Sequence, residues 1–313
     1  MADNATGSDE WERGLTEVLA AWFLSERIER VTIGVNRRVW RVGEWYLTAA
    51  WPDERSLIDA ELTICQSLSE SPLFSFVVPR PRASNDDVLI VELYDRIWWL
   101  TASVDGRHPD PTSPAELLSV AESLAQVHTE LRNERDVEPV QRRRLVDWAP
   151  LACDFLQSHP DLLSEADKGA VEDAADRVKS LAGPMTQDRQ LVHGDPSFPN
   201  LIVDNSSYRI VGLVDWQEAA IDSPLTDLSV LGNTIWQRSG LVNRGPVLGD
   251  CLAAYRAGGG ANYDARTVLT AMLGAKLQSV VHHGSRYLSG RGPRKNFEEQ
   301  PGLISEILTE LNK

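Results

Sequence analysis

The sequence has few cysteines and no excess of basic residues. Its 313 residues include three cysteines, Cys65, Cys153 and Cys251, which form neither a Cys-x-x-Cys pair nor a metal-ligand spacing. This usage is typical of a reducing compartment, so we expect a cytoplasmic protein. The formal net charge of -15 argues against a nucleic acid or an anionic membrane as the main partner, because both reward clustered lysine and arginine.

Long apolar runs and a leader segment are also missing. No apolar stretch approaches the roughly 20 residues needed to cross a bilayer. The N-terminal segment MADNATGSDEWERG lacks a basic stretch followed by an apolar run, so we expect no signal peptide. With 42% hydrophobic and 25% charged residues, the chain is long enough for a large core, and its length suggests two domains or lobes.

Apolar periodicity predicts a strand-rich first third and a helical remainder. We place the lobe boundary before a loop rich in proline and aspartate, which gives an N-terminal lobe of residues 1–103 and a C-terminal lobe of residues 104–313. The first lobe is predicted to contain a helix from Trp11 to Phe23, strands at 39–42 and 45–47, a helix at 53–68, and strands at 88–93 and 96–103. In the second lobe we predict helices at 114–131, 148–158, 164–182, 227–236, 247–257, 265–285 and 301–311.

One segment places two acids and an amide beside short apolar runs. Asp195 lies in HGDPSFPN, and residues 201–203 and 210–214 predict a β-hairpin with Asn200 at its start and Asp215 at its end. Amide and carboxylate oxygens are ligands that Mg²⁺ prefers, and phosphoryl transfer needs such ions together with a residue that orients the nucleophile. The segment therefore indicates phosphoryl transfer, with Asn200 and Asp215 as metal ligands and Asp195 at the substrate hydroxyl.

The motifs HGDPSFPN, LVDWQEA and the pair Asp227-Leu228 resemble those of the aminoglycoside phosphotransferase and choline kinase-like family, distant relatives of the protein kinases. GVNRRVWRV, WWLTASVDG and LAQVHTEL are similar to further segments of that family, so that the resemblance covers residues 33–231. It implies a two-lobed, protein-kinase-like α+β fold with a small antiparallel-sheet N-lobe and a larger, mostly helical C-lobe.

The resemblance also implies an activity and the residues that serve it. The expected enzyme is a kinase that uses ATP, or another nucleoside triphosphate, with Mg²⁺ to phosphorylate a hydroxyl of an aminoglycoside, another antibiotic or an amino alcohol. Asp195 would be catalytic, Asn200 and Asp215 would hold Mg²⁺, and His193 and Asp227 would support the loop. The expected nucleotide-binding residues are Gly34, Asn36, Val39, Arg41, Glu61, Ala102, Ser103 and Val104.

The sequence departs from the family at the residue that normally contacts the nucleotide phosphates. The resemblance implies a lysine or arginine on the strand GEWYLTAAW, near Thr48, as the partner of Glu61, but neither occurs from Gly43 to Glu54. Arg41 is our first candidate to replace it, because strand alternation puts Arg41 on the same face as Val39. Arg37 and Arg38 are the next candidates.

Other functions stay open from the sequence. The same scaffold could phosphorylate serine or threonine of a peptide in a natural-product pathway, and the missing lysine is compatible with a degenerate kinase that regulates a partner protein. A hydrolase with paired carboxylates would not explain the hairpin-borne Asn200 and Asp215. We predict that His128 packs a helix and is not a metal ligand, since it stands alone in its segment.

Overall fold

The computed structural model describes residues 14–31, 37–134, 137, 139, 143–186, 188–238 and 243–313. Trp11, at the start of the predicted first helix, lies outside the described residues, and so do Gly34 and Asn36 of the predicted nucleotide-covering loop.

In the described part of the chain, six strands form one antiparallel sheet near the N-terminus. Their order is β1-β2-β3-β6-β4, and β5 pairs with β6. The strands are β1 (Ile28–Val31), β2 (Arg38–Val42), β3 (Trp45–Ala50), β4 (Pro81–Arg82), β5 (Val91–Leu93) and β6 (Arg96–Ala102). A hairpin turn at Gly43, which has a φ of 60°, connects β2 to β3.

Strand alternation gives the sheet two apolar faces, and a helix packs on each. Helix α1 (Leu15–Ala20) covers the face that carries Trp40, Leu47 and Trp98. Helix α2 (Arg55–Glu70) packs against the opposite face. The contacts of α2 lie at one end of that face, at Ala50, Ile97 and Trp99. The rest of the face is left uncovered by helix α2.

Three predictions for this region need correction. The strand predicted at 88–93 begins only at Val91, because a turn in which Asp87 has a φ of 59° bonds the amide of Ser84 to the Val88 carbonyl. Helix α2 begins at Arg55 and not at residue 53, since Pro52–Glu54 form a separate 3₁₀ turn. The helix predicted to reach Phe23 ends at Ala20, and strands β1 and β4 were not predicted.

Helices dominate the chain after β6. They are α3 (Pro114–Leu131), α4 (Trp148–Ser158), α5 (Glu165–Val178), α6 (Leu225–Arg238), α7 (Arg244–Ala257), α8 (Ala265–Leu288), α9 (Arg294–Glu298) and α10 (Gln300–Leu311). Two small antiparallel sheets lie among them, one of β7 (Gln190–Val192) with β10 (Ala220–Asp222) and one of β8 (Leu201–Val203) with β9 (Ile210–Leu213). The predicted hairpin and the two-lobed α+β class are therefore confirmed.

The helical region has its own large core, in which α8 is buried along much of its length. Helices α3 and α5 each begin at a serine N-cap. The hydroxyls of Ser113 and Ser164 accept hydrogen bonds from the amides of Glu116 and Asp167. The helix predicted at 164–182 ends at Val178 and continues as a 3₁₀ turn to Ala182. Among the described residues, no helix has the length and apolarity that crossing a bilayer requires.

Candidate active site

A cavity of about 330 Å³ lies between the open face of the sheet and the β8–β9 hairpin. The sheet contributes Val39, Tyr46 and Thr48, and the hairpin region contributes Asn200 and Asp215. Further lining residues are Arg37, Glu61, Cys65, Trp99, Ala102, Val104, His108 and Gln217. The cavity thus joins four of the eight residues predicted to bind nucleotide, Val39, Glu61, Ala102 and Val104, to both predicted metal ligands.

The hairpin holds Asn200 and Asp215 close together. Asn200 precedes β8 and Asp215 follows β9, and the amide of Val214 donates to the Asn200 carbonyl at 2.9 Å. Asp215 has a φ of 63°, a left-handed conformation in which the chain turns sharply away from the strand direction. The Asn200 side-chain nitrogen donates to the carbonyl and to the Oδ2 of Asp195, at 2.9 and 3.0 Å. This bond joins the predicted catalytic acid to one of the two predicted metal ligands.

These residues fit a magnesium ion that is shared with a substrate. Because the Asn200 nitrogen is bonded to Asp195, its amide oxygen is the atom left for a cation, and the Asp215 carboxylate lines the same cavity. No group of three or more metal-ligating side chains occurs among the described residues. Mg²⁺ typically takes one or two protein oxygens and completes its shell with water and phosphate oxygens, which matches this donor set.

The loop that carries Asp195 is held by a buried carboxylate, Asp227, at the start of α6. Its oxygens accept the main-chain amides of His193 at 3.0 Å and Gly194 at 2.7 Å, and the Nε2 of His128 lies 2.9 Å away. Gly194 has a φ of 84°, and a Cβ there would stand 2.0 Å from the carbonyl oxygen of Glu218, so only glycine fits. His128 does pack a helix, as predicted, through Tyr255, whose hydroxyl lies 2.7 Å from its Nδ1.

His193 connects the loop that carries Asp195, called the catalytic loop below, to the β8–β9 hairpin. Its Nδ1 accepts the amide proton of Asp195 at 3.3 Å, which leaves Nε2 as the protonated nitrogen facing the Val214 carbonyl at 3.0 Å. Burial lowers the pKa of His193, which favours this neutral tautomer. Burial and the neighbouring Asp215 raise the pKa of Asp195 to about 7, and a cation bound at Asp215 would oppose that increase.

The segment of residues 102–104, which lies at the end of β6 and is called the hinge below, has two of its main-chain amides already bonded. Ala102 and Val104 line the cavity, but the amide of Ala102 donates to Arg80 at 2.9 Å and that of Ser103 to Glu44 at 2.8 Å. Within the described residues, the Val104 amide has no main-chain partner. The Ser103 amide is thus already bonded to the turn between β2 and β3, and a role of Ser103 in nucleotide binding stays a prediction.

Arg37 is the partner of Glu61. Its Nη1 lies 2.7 Å from a Glu61 oxygen and 3.8 Å from an Asp215 oxygen, and its Nη2 donates to the Gln217 side chain at 2.7 Å. The guanidinium carbon stands 5.1 Å from the centre of the Trp99 ring. Burial alone would lower the pKa of Arg37, but the two carboxylates outweigh it and raise that pKa.

The expectation that Arg41 pairs with Glu61 is wrong. Arg41 shares a strand face with Val39 but is exposed, and its Nε donates to the Gly43 carbonyl at 3.3 Å. The physical reason is its position along the strand. Helix α2 and Glu61 lie at the Arg37 end of β2, and four residues of strand put Arg41 about 13 Å from there. Arg38 alternates to the opposite face, away from Glu61, and is exposed.

The profile of the family described as "Phosphotransferase enzyme family" matches residues 27–269, which is more than half of the chain. The chain belongs to this family. It is thus an enzyme that transfers phosphate to hydroxyl groups. No curated protein sequence matches the chain significantly.

Solved structures share the fold of this phosphotransferase at low sequence identity. The GDP complex of aminoglycoside 2'-phosphotransferase-IIIa is 17% identical, with 94% of this chain and 97% of that chain covered and a TM-score of 0.70. A choline/ethanolamine kinase family protein from Mesorhizobium loti is 14% identical, with 98% and 95% covered and a TM-score of 0.68. The macrolide 2'-phosphotransferase apoenzyme from Brachybacterium faecium is 17% identical, with 93% and 96% covered and a TM-score of 0.62.

Three residues of the phosphotransferase cavity were missed or ranked too low by the sequence. Arg37 was only the second candidate for the cation, and Gln217 and Trp99 were not expected to hold it. The signal for Gln217 was present, since it follows Asp215-Trp216 directly. For Arg37 the signal was the alternation itself, since Arg37 lies directly before β2 and two residues before Val39.

Proposed function

We propose that this phosphotransferase moves the γ-phosphate of ATP, or of another nucleoside triphosphate, to a hydroxyl of a small molecule with the help of Mg²⁺. The observation that carries the proposal is the single cavity that joins the hinge residue Val104 to Asn200 and Asp215, with Asp195 hydrogen-bonded to Asn200. A nucleotide would fill this cavity with its base at Val104 and its phosphates at Asn200 and Asp215. The GDP bound to one structural neighbour supports the choice of a nucleotide.

The residues of the catalytic loop have separable roles in this proposal. The Asp195 carboxylate orients the acceptor hydroxyl and accepts its proton, and Asn200 fixes the carboxylate by donating to Oδ2. Asn200 and Asp215 would hold the magnesium ion, which would neutralise charge on the phosphate oxygens. Asp227 holds the loop through the amides of His193 and Gly194, so that Asp195 stays in place before substrate arrives.

Several facts support a small-molecule acceptor. The structural neighbours include proteins described as acting on an aminoglycoside and a macrolide, and one described as a choline/ethanolamine kinase family protein. The net charge of -15 favours a cationic acceptor, because the field of an acidic protein attracts positive charge. Aminoglycosides and amino alcohols are both cationic at neutral pH.

Nucleotide binding is tested by the melting temperature. ATP with Mg²⁺ at about one hundred times its Kd stabilises a protein by about 2.7 kcal/mol, which should raise Tm by several degrees. Asp215→Ala should remove most of that increase. Asp173→Ala, which removes the same charge from the exposed surface of α5, should leave the increase intact. No increase at millimolar ATP or GTP would overturn the proposal.

The acceptor is tested by coupling ADP release to a panel of candidates. The panel contains aminoglycosides, a macrolide, choline, ethanolamine and serine- or threonine-containing peptides, with mass spectrometry of the product. Release that depends on a small cationic molecule supports the proposal. Phosphorylation of the peptides alone would replace the small-molecule acceptor by a peptide.

A further inference from the structure

Arg37 is the only lysine or arginine among the described residues that line the cavity. Its side chain is 11% exposed, and it lies beside Glu61, Asp215 and Gln217. A guanidinium in this position is costly to bury unless charges and hydrogen bonds compensate for its lost hydration. The two carboxylates and the Trp99 ring provide that compensation.

The bonds that Arg37 makes do not use all of its donors. A guanidinium has five N–H groups in a rigid fork. Nη1 is bonded to Glu61 and Nη2 to Gln217, but Nε is buried and has no hydrogen-bond partner among the described residues. The arginine is therefore positioned by its neighbours and retains unused donors. Its fork matches the oxygens of a phosphate, which arginine binds in a bidentate manner.

The distance to Asp215 places this fork near the proposed metal site. Arg37 Nη1 lies 3.8 Å from the Asp215 oxygen, longer than a hydrogen bond. Phosphate oxygens bound to a cation at Asp215 would lie within reach of the same guanidinium. A neutral ligand would leave both carboxylates and the arginine as they are and would gain nothing from the charge of the guanidinium.

We propose that Arg37 binds the phosphates of the nucleotide in this enzyme, and that Glu61, Gln217 and Trp99 hold its guanidinium for that contact. The inference rests on the proposed function, since it needs a nucleotide in the cavity. It moves the phosphate-binding cation from the middle of β3, where Thr48 stands, to the residue directly before β2. Thr48 is buried on the same face, opposite Trp99 in β6, and has no charge.

The test compares ADP with adenosine, which differ only in the phosphates. Both are titrated by calorimetry, in the presence of Mg²⁺, into the wild-type protein and into Arg37→Ala. We expect the variant to bind ADP about 30-fold more weakly, as for a lost charged hydrogen bond, and adenosine within about twofold of wild type. Arg27→Ala removes the same charge from an exposed site outside the cavity and should change neither affinity.

A second variant guards against misfolding. Arg37→Ala leaves Glu61 buried without its partner, which can destabilise the fold. The paired variant Arg37→Met with Glu61→Gln removes both charges, and adenosine binding reports whether its cavity has formed. We expect the paired variant to lose ADP affinity and keep adenosine affinity. Thr48→Lys added to Arg37→Ala puts a cation at the β3 position, and recovery of ADP affinity in that variant would support the proposal.

Three outcomes separate the possibilities. If ADP binds both variants within about threefold of wild type, Arg37 does not bind phosphate and the inference is wrong. If ADP and adenosine lose affinity equally, its role is to hold the fold and the inference is again wrong. If the wild-type protein binds neither ADP nor GDP, the proposed function itself fails, and the inference falls with it.

Discussion

The two sides of the cavity hold their polar groups in different ways. On the catalytic-loop side, main-chain amides of His193 and Gly194 donate to the buried Asp227, and Asn200 and Asp215 are joined through the hairpin. On the sheet side, the side chain of Arg37 reaches Glu61 and Gln217 from another element. The amides that position the loop with Asp195 belong to consecutive residues, whereas the cation beside Glu61 comes from a long side chain, which can start from a different element.

The largest expected effect lies on the catalytic-loop side. Asp195→Asn keeps the shape of the side chain and an oxygen that can accept from Asn200, but it removes the proton acceptor. We expect turnover with an identified acceptor to fall about 10³-fold, within the range for a lost general base. The increase of Tm with ATP and Mg²⁺ should be retained. Unchanged turnover would remove Asp195 from the chemistry.

The next effect tests the main-chain bonds themselves. Asp227→Ala leaves the amides of His193 and Gly194 and the ring of His128 without their acceptor in a buried site. We expect the free energy of unfolding to fall by roughly 3 kcal/mol, which lowers Tm by about 5 °C. Asp173→Ala, on the exposed surface of α5, is the matched control and should shift Tm by about 1 °C or less. Equal shifts in the two variants would contradict the role of Asp227.

A smaller effect is expected when the sheet-side pair is removed as a unit. In Arg37→Met with Glu61→Gln, the cost of burying two charges disappears together with their attraction, so we expect the free energy of unfolding to stay within about 1 kcal/mol of wild type. Denaturant titration measures it. If this variant lost as much unfolding free energy as Asp227→Ala, the Arg37–Glu61 pair would contribute to stability as Asp227 does. The proposed difference between the two sides of the cavity would then be wrong.

The smallest effect is expected for Arg41. Its side chain is exposed and bonds only its own turn in the described structure, so Arg41→Ala should change the free energy of unfolding by about 0.5 kcal/mol or less. ADP affinity should stay within about twofold of wild type. A marked loss of ADP affinity would show that Arg41, our first candidate from the sequence, reaches the phosphates after all.

The same contrast explains what could be predicted from the sequence. The hairpin with Asn200 and Asp215 was predicted because a few consecutive residues carry its apolar runs, its turn and its polar ends. The Arg37–Glu61 pair was not predicted, because strand alternation gives the face on which a residue lies but not its distance from helix α2, which carries Glu61. Strand β4 was missed since it has only two residues, and its pairing depends on β6 and not on its own pattern.

The identity of the cavity cation has a consequence for chemical labelling. The sequence contains no lysine before Lys168, so the strand-rich region has no side-chain amine for a nucleotide analogue with an amine-reactive group. Arg37 cannot substitute, because a guanidinium stays protonated and is not a nucleophile at neutral pH. Cys65 lines the same cavity, but burial raises the pKa of its thiol well above the usual range. Electrophilic nucleotide analogues that target the lysine expected near Thr48 should therefore leave this cavity unmodified. Replacing Thr48 by lysine should make the cavity reactive.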